Sequence, residues 1–332
     1  MHPHHRARPA STGTATTDIA LDGIDADGAA ALAELASVLR TNGYCGQPTH
    51  GDPTVEACFR LGVGAQADRA RVSEVVGPDA LSAMVAAGWA EYGDLDPSFV
   101  RLTMSVFPIA SLLTVIPRPA ADRDTVYIGP DSLQLFRVAW QAGGGGRAAD
   151  LATGNGFLAA ALATRFESVV AADISARCVA AAALVPVLNP LLESRIGVVQ
   201  TDVADGLAPH SFDLVTANAP WVPEPFDQAG SPARRFAAGG PSGFELPRRF
   251  LDAAADLLAP GGRAFVTCLD IEFPSGRRPL RDHIPDLEAA GCEVDLHIAT
   301  LPGNDDVRDW VKNRLGRVPS ARFVIVELRA PR

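Results

Sequence analysis

Residues 147–152 form a short apolar run that enters a glycine-bearing turn, Asp150-Leu-Ala-Thr-Gly154-Asn-Gly156, after which residues 157–165 read as a helix. A strand that ends in glycine and resumes as a helix is a demanding local pattern. Glycine lets the backbone approach a ligand closely, and the free N–H groups of a helix N-terminus attract its polar parts. The same rhythm continues downstream. Strand-like runs at 168–172, 196–200, 212–217, 263–268, 294–299 and 321–328 alternate with helical stretches at 176–187, 245–258 and 285–290. Asn189-Pro190 stops the first of these helices and Pro260-Gly261-Gly262 the second. Such alternation predicts the α/β class, a parallel sheet with helices on both faces. Ligands of these sheets sit at the carboxyl ends of the strands, so residues at strand ends are the first candidates for a site.

Three of those ends carry an acid. Asp173 follows the second strand, 19 residues after Gly154, and suits a ribose hydroxyl pair. A glycine turn and this acid together specify a nucleoside-type ligand, because dinucleotide-binding folds open in the same way. Thr153 and Ile174, beside them in sequence, count with this group. Two further acids divide the candidates. Asp150 precedes the glycines and would repel a pyrophosphate, whereas it suits the amino group and positive centre of S-adenosylmethionine (SAM). Asp202, after the third strand, suits the exocyclic amine of adenine, with the N–H of Val203 meeting a ring nitrogen. The fourth strand ends in Asn218-Ala219-Pro220-Trp221-Val-Pro, a polar and then rigid loop.

With that loop the chain resembles the class I SAM-dependent methyltransferases that carry an Asn-Pro-Pro-Tyr-type motif. The turn from Asp150 to Gly156 resembles their first motif, Asp173 their second and Asp202 their third. The resemblance is strongest to the release-factor glutamine methyltransferase group. Phe236-Ala-Ala-Gly239-Gly240-Pro-Ser-Gly243-Phe244, then Arg249 and Leu258-Ala-Pro-Gly-Gly, is similar to that group's stretch after the motif. It covers residues 126–332 and implies a Rossmann-like sheet of seven strands, SAM as cofactor and S-adenosylhomocysteine as product. It also implies roles in the acceptor loop. Asn218 Oδ1 and the Ala219 carbonyl accept the N–H groups of a planar nitrogen, turning its lone pair toward the methyl group, and Trp221 stacks on the substrate. Carbonyl dipoles placed in advance stabilise the charge that develops on nitrogen. No metal is implied. The chain departs from the pattern at Ala219, where the family has proline, and at Trp221, where it has tyrosine.

The chain is 332 residues long with a formal net charge of −10, whereas a nucleic-acid binder carries a basic face. Nucleic acid is therefore a disfavoured partner, with Arg234–Arg235 and Arg277–Arg278 as candidates for a local basic patch. Five scattered cysteines without a CxxC pair suit reduced thiols in a bacterial cytoplasm. No apolar run approaches the ~20 residues of a membrane span. Residues 1–17, with His2, His4 and His5, read as a disordered tail. Residues 18–125 read as a smaller, mainly helical domain, with helices at 25–39, 53–61 and 78–87 and β character at 100–115. Its pattern is winged-helix-like, and its expected role is a lid or substrate-recognition module. Tyr127 to Ser132 is a segment suited to closing over the cofactor, Glu224 and Asp227 are loop carboxylates, and Trp310 is a helix anchor.

The expected activity is methyl transfer to an amide, amine or guanidine nitrogen of a small-molecule or peptide-like substrate, and an oligomer is compatible with the sequence. A protein glutamine or a nucleic-acid base is the alternative acceptor, and a SAM-binding module without turnover is the competing class. An NAD-dependent oxidoreductase is disfavoured by Asp150 and by the lack of a recognisable catalytic pair.

Overall fold

The computed structural model describes residues 26–47, 50–117, 128–223, 237–300, 311, 315–316 and 318–332. The N-terminal tail, Tyr127, Glu224, Asp227, Arg234, Arg235, Phe236 and Trp310 lie outside the described residues.

The first part begins with α1 (Ala26–Thr41), whose Leu32, Leu35, Ala36 and Leu39 form one buried face at helical spacing. It is followed by α2 (Pro53–Gly62), β1 (Ala67–Asp68), α3 (Arg69–Val76), α4 (Pro78–Ala86), β2 (Ala90–Tyr92) and β3 (Phe99–Leu102). The three strands pair antiparallel in the order β1-β3-β2, an arrangement of winged-helix type. A separate hairpin, β4 (Met104–Ile109) and β5 (Leu112–Pro117), completes this part. Helix α3 was not anticipated. It has few apolar residues, buries only Val72 and Val76, and starts from the Asp68 side chain, which accepts from the Arg71 N–H.

The second part contains α5 (Pro130–Trp140), β6 (Gly145–Leu151), α6 (Phe157–Ala163), β7 (Phe166–Asp173), α7 (Ala176–Leu188), β8 (Ile196–Gln200), β9 (Phe212–Ala217), β10 (Val222–Pro223) and β11 (Ala238–Gly240). It ends with α8 (Glu245–Leu257), β12 (Leu258–Glu272), α9 (Pro279–Ala289), β13 (Glu293–Ile298) and β14 (Ser320–Arg329). Seven strands form one sheet in the order β13-β14-β12-β9-β6-β7-β8. The five strands from β8 to β12 are parallel, as expected. The sheet is mixed rather than wholly parallel, because β14 runs antiparallel to both β12 and β13. Side chains alternate between faces. Leu214 of β9 and Phe265 of β12 pack with α5 and α6, while Val215 and Val266 pack with α8 and α9. This is the seven-stranded sheet, covered by helices on both faces, that the sequence resemblance implies.

The two parts share a core. Ala181, Leu184 and Leu188 of α7 are buried among the residues of α1 to β5. Buried Asn189, just after α7, accepts from the Leu113 N–H (3.0 Å) and donates to the Leu113 carbonyl (2.7 Å). The first part is thus packed against α7 of the second. Among the described residues, no helix is long and apolar enough to cross a membrane, and none of the five cysteines is in a disulfide.

Candidate active site

The glycine turn is built for close packing as much as for a ligand. Gly154 and Gly156 have φ of 59° and 75°, the left-handed region that favours glycine. A Cβ on Gly156 would lie 2.8 Å from Val185 Cγ2 and 3.1 Å from Ala182 Cα, so this glycine seats the turn against α7. Asn155 ties the same turn to the N-terminal hairpin. Its Nδ2 donates to Thr114 Oγ1 (3.1 Å) and to the Val115 carbonyl (3.2 Å).

Asp150 lies behind the turn, only 2 % exposed. Its Oδ2 accepts from Thr153 Oγ1 (2.6 Å) and the Ala159 N–H (3.2 Å), and its Oδ1 accepts from Thr216 Oγ1 (2.8 Å). Burial pushes its carboxyl up to about 6 against the pull of those donors. Asp150 and Thr153 therefore brace the turn from inside, with both Asp150 oxygens engaged by protein donors. Asp173 sits at the end of β7, where Oδ2 accepts from the Gly154 N–H and Oδ1 from the Ser175 N–H, both at 2.9 Å. Burial raises its carboxyl as well, opposed by these N–H groups.

A cleft of about 620 Å³ opens at the carboxyl ends of β7, β8 and β9, within the usual range for a small-molecule site. Gly154, Asp173, Ile174, Asp202, Val203, Asn218 and Pro220 line it. Asp150, Thr153, Gly156, Ala219 and Trp221 do not. Ile174 is an exposed apolar side chain on the wall, and Val203 holds a φ of 56°. The facing wall is α8, which supplies Leu246, Arg249 and Phe250. These three were not singled out from the sequence as ligand contacts, although their i, i+3, i+4 spacing puts them on one helix face. Arg249 reaches across to Asp202 (2.8 Å), and that contact raises the guanidinium above its ordinary value.

The loop after β9 is held from three sides. Asn218 Nδ2 donates to Ser132 Oγ (2.9 Å), and Thr267 Oγ1 lies 3.1 Å from Asn218 Oδ1 and 3.2 Å from the Ala219 carbonyl. The two acceptors implied for a substrate nitrogen thus converge at one hydroxyl. Trp221 is 8 % exposed, packs on Phe323 with ring centroids 5.1 Å apart, and donates from Nε1 to Asp131 Oδ2 (3.3 Å). The ring is thus enclosed between Phe323 and Asp131 rather than presented openly to the cleft. The glycine-rich stretch around β11 packs on the backbone of Trp221. A Cβ on Gly239 would lie 2.8 Å from Trp221 Cα, and one on Gly243 would lie 2.6 Å from the Trp221 carbonyl. Among the described residues, no group of three or more His, Cys, Asp or Glu is placed to hold a metal ion.

No curated protein matches the chain in sequence. A tRNA m1G37 methyltransferase from M. jannaschii is 16 % identical, over 69 % of this chain and 57 % of its own, with a TM-score of 0.45. The cyclase SpnF is 18 % identical over 60 % and 81 %, with a TM-score of 0.42. Phosphoethanolamine N-methyltransferase 2 from Haemonchus contortus, solved with S-adenosyl-L-methionine, is 14 % identical over 62 % and 54 %, with a TM-score of 0.41. The chain spans little more than half of the tRNA enzyme's length, and likenesses at these TM-scores say nothing of what it acts on. Residues 133–270 match the family model described as the methyltransferase small domain. That stretch includes the glycine turn, the cleft and the loop of residues 218–221.

Proposed function

We propose that the chain is a SAM-dependent methyltransferase whose acceptor is a nitrogen presented to Asn218. The observation that carries this reading is the placement of Asn218 on the wall of the nucleoside-sized cleft, at the end of β9 in a methyltransferase domain. The lining suits SAM. Asp173 retains lone pairs beyond its two backbone contacts for a ribose diol. Ile174 and Val203 offer apolar surface to adenine, and Asp202 offers a carboxylate to its amine. SAM supplies an electrophilic methyl group on a positive sulfur. Asn218 Oδ1 and the Ala219 carbonyl orient the acceptor nitrogen and face the positive charge it gains, a dipolar stabilisation worth most in a site shielded from water. Alignment of the nitrogen with the methyl group supplies much of the remaining acceleration.

A small-molecule or peptide-like amide, amine or guanidine fits this arrangement, and the net charge of −10 favours such a substrate over nucleic acid. A release-factor-like protein glutamine, or the exocyclic amine of a base, would offer a similar planar nitrogen; binding to RNA with a steep dependence on salt would favour the latter. Calorimetry with SAM and S-adenosylhomocysteine tests the cofactor, and absence of binding refutes the reading. Labelled SAM with host extract, split into protein, nucleic-acid and small-molecule fractions, identifies the acceptor class. Asn218→Ala should lower turnover with little change in SAM affinity. Equal loss of both would remove Asn218 from the transfer step.

A further inference from the structure

Asp131 and Ser132 open helix α5, at the end of the segment expected to close over the cofactor. Neither lines the cleft. Both are more than nine-tenths buried, and both reach the acceptor loop, across 90 and 86 residues of chain respectively. Ser132 Oγ accepts from Asn218 Nδ2 (2.9 Å) and from the Gly129 N–H (3.3 Å). Asp131 Oδ1 accepts from the Ser132 N–H (2.9 Å), and Asp131 Oδ2 accepts from the Trp221 indole N–H (3.3 Å). The two ends of the Asn218–Trp221 loop are therefore held by adjacent residues of one helix.

We propose that Ser132 and Asp131 are positioning residues for methyl transfer. Ser132 sets the rotamer of Asn218, and Asp131 fixes the loop through Trp221. This rests on the reading of Asn218 as the residue that presents the acceptor. The physical argument is geometric. An Asn side chain turns about two bonds, and Oδ1 serves an acceptor nitrogen only when the amide plane is held. Ser132 holds the Nδ2 end and Thr267 the Oδ1 end. Thr267 brings a single hydroxyl hydrogen, which leaves Oδ1 a lone pair for the acceptor. A carbonyl displaced by about 1 Å costs on the order of 100-fold in rate. Asp131 and Ser132 do not themselves line the cleft, so the effect should fall on turnover rather than on cofactor affinity.

The test uses the full chain and two readouts. The first is the initial rate of label transfer from SAM into the extract fraction that the wild type labels, alongside calorimetric affinity for S-adenosylhomocysteine. Ser132→Ala should lower kcat about 10- to 100-fold while the affinity stays unchanged, and Ser132→Thr, which keeps the oxygen, should restore most of the rate. The second readout is NMR. The chain has four Trp residues, so Trp221→Phe identifies the Trp221 indole signal and Asn218→Ala identifies the side-chain amide pair. Asp131→Ala should shift the indole signal and speed its exchange with solvent, and Ser132→Ala should shift the amide pair. A wild-type rate in Ser132→Ala, a parallel loss of rate and affinity, or unmoved signals would overturn the proposal. If the wild type itself neither binds S-adenosylhomocysteine nor transfers label, the broader reading fails, and the NMR signals still report on the contacts.

Discussion

Replacing Asp150 with Asn removes a charge from a site that is only 2 % exposed and has three neutral donors and no cation on its oxygens. Burial lifts this carboxyl from 3.8 to about 6, a difference of roughly two units, or about 3 kcal/mol at ~1.4 kcal/mol per unit. The sign follows from proton binding. Between pH 3.8 and about 6 the folded chain holds a proton on Asp150 that the unfolded chain has released. The contribution of this group to stability is therefore highest below that window, falls as pH rises through it, and stays about 3 kcal/mol lower above it. Asn carries no titrating proton and is close in shape. Thr216 can turn its hydroxyl to the Ala149 carbonyl, 3.4 Å away, and accept from the new amide. The stability of Asp150→Asn minus that of the wild type should thus rise by up to about 3 kcal/mol between pH 4 and pH 7. Urea unfolding of both proteins at several pH values reads this difference, in which other titrating groups cancel. A difference that is flat or falls with pH refutes the account. The same variant separates two roles for the residue. As an internal brace, Asp150→Asn keeps its affinity for S-adenosylhomocysteine, whereas a loss of tenfold or more (about 1.4 kcal/mol) would mean that the carboxylate turns into the cleft.

Gly156→Ala should cost about 2–5 kcal/mol, the sum of a left-handed φ, about 1–2 kcal/mol, and overpacking against Val185 and Ala182, about 1–3 kcal/mol; a urea-midpoint change equivalent to less than about 1 kcal/mol would show that α7 yields. Arg249→Gln breaks a pair whose partners are both about half exposed, so it should change stability by less than about 1 kcal/mol. It should nevertheless weaken SAM binding by up to about tenfold in calorimetry, because Asp202 loses the group that orients it. Asn155→Ala strips partners from Thr114, Val115 and the Phe157 N–H and should lower stability by about 2–4 kcal/mol in the same unfolding assay. Deleting residues 26–117 would expose Ala181, Leu184 and Leu188 of α7, and the shortened chain should aggregate by size-exclusion chromatography.

The strand ends were legible because a strand has one polarity. A parallel sheet places every carboxyl end on one side, so Asp173, Asp202 and Asn218 fall around one cleft whatever the details of packing. Side-chain direction is another matter, because it depends on partners that are distant in sequence. Asp150 has a type and a position that suit a ligand ammonium. Yet Thr216, 66 residues on, lies beside it on the neighbouring strand, and with Thr153 it turns the carboxylate inward. Trp221 reads as a free stacking face in sequence, since nothing local covers it. Its ring is covered by Phe323 and anchored on Asp131, both far away in sequence, while glycines 239 and 243 let another backbone approach the backbone of Trp221 within a distance that a side chain would forbid. Those glycines were noticed as a similarity, and their physical reason is this contact. Helix α3 escaped notice because two buried valines are too few to make a periodic signal. The segment before the first strand illustrates both sides. Pro130 at a helix start is readable from local rules. That Asp131 and Ser132 grip the loop of residues 218–221 depends on how α5 packs against the sheet. The residues that would do the chemistry come from one local motif, whereas the residues that hold them in place are spread along the chain. The loop of residues 218–221 should therefore respond to changes at Ser132 and Thr267 as well as to changes in its own four residues.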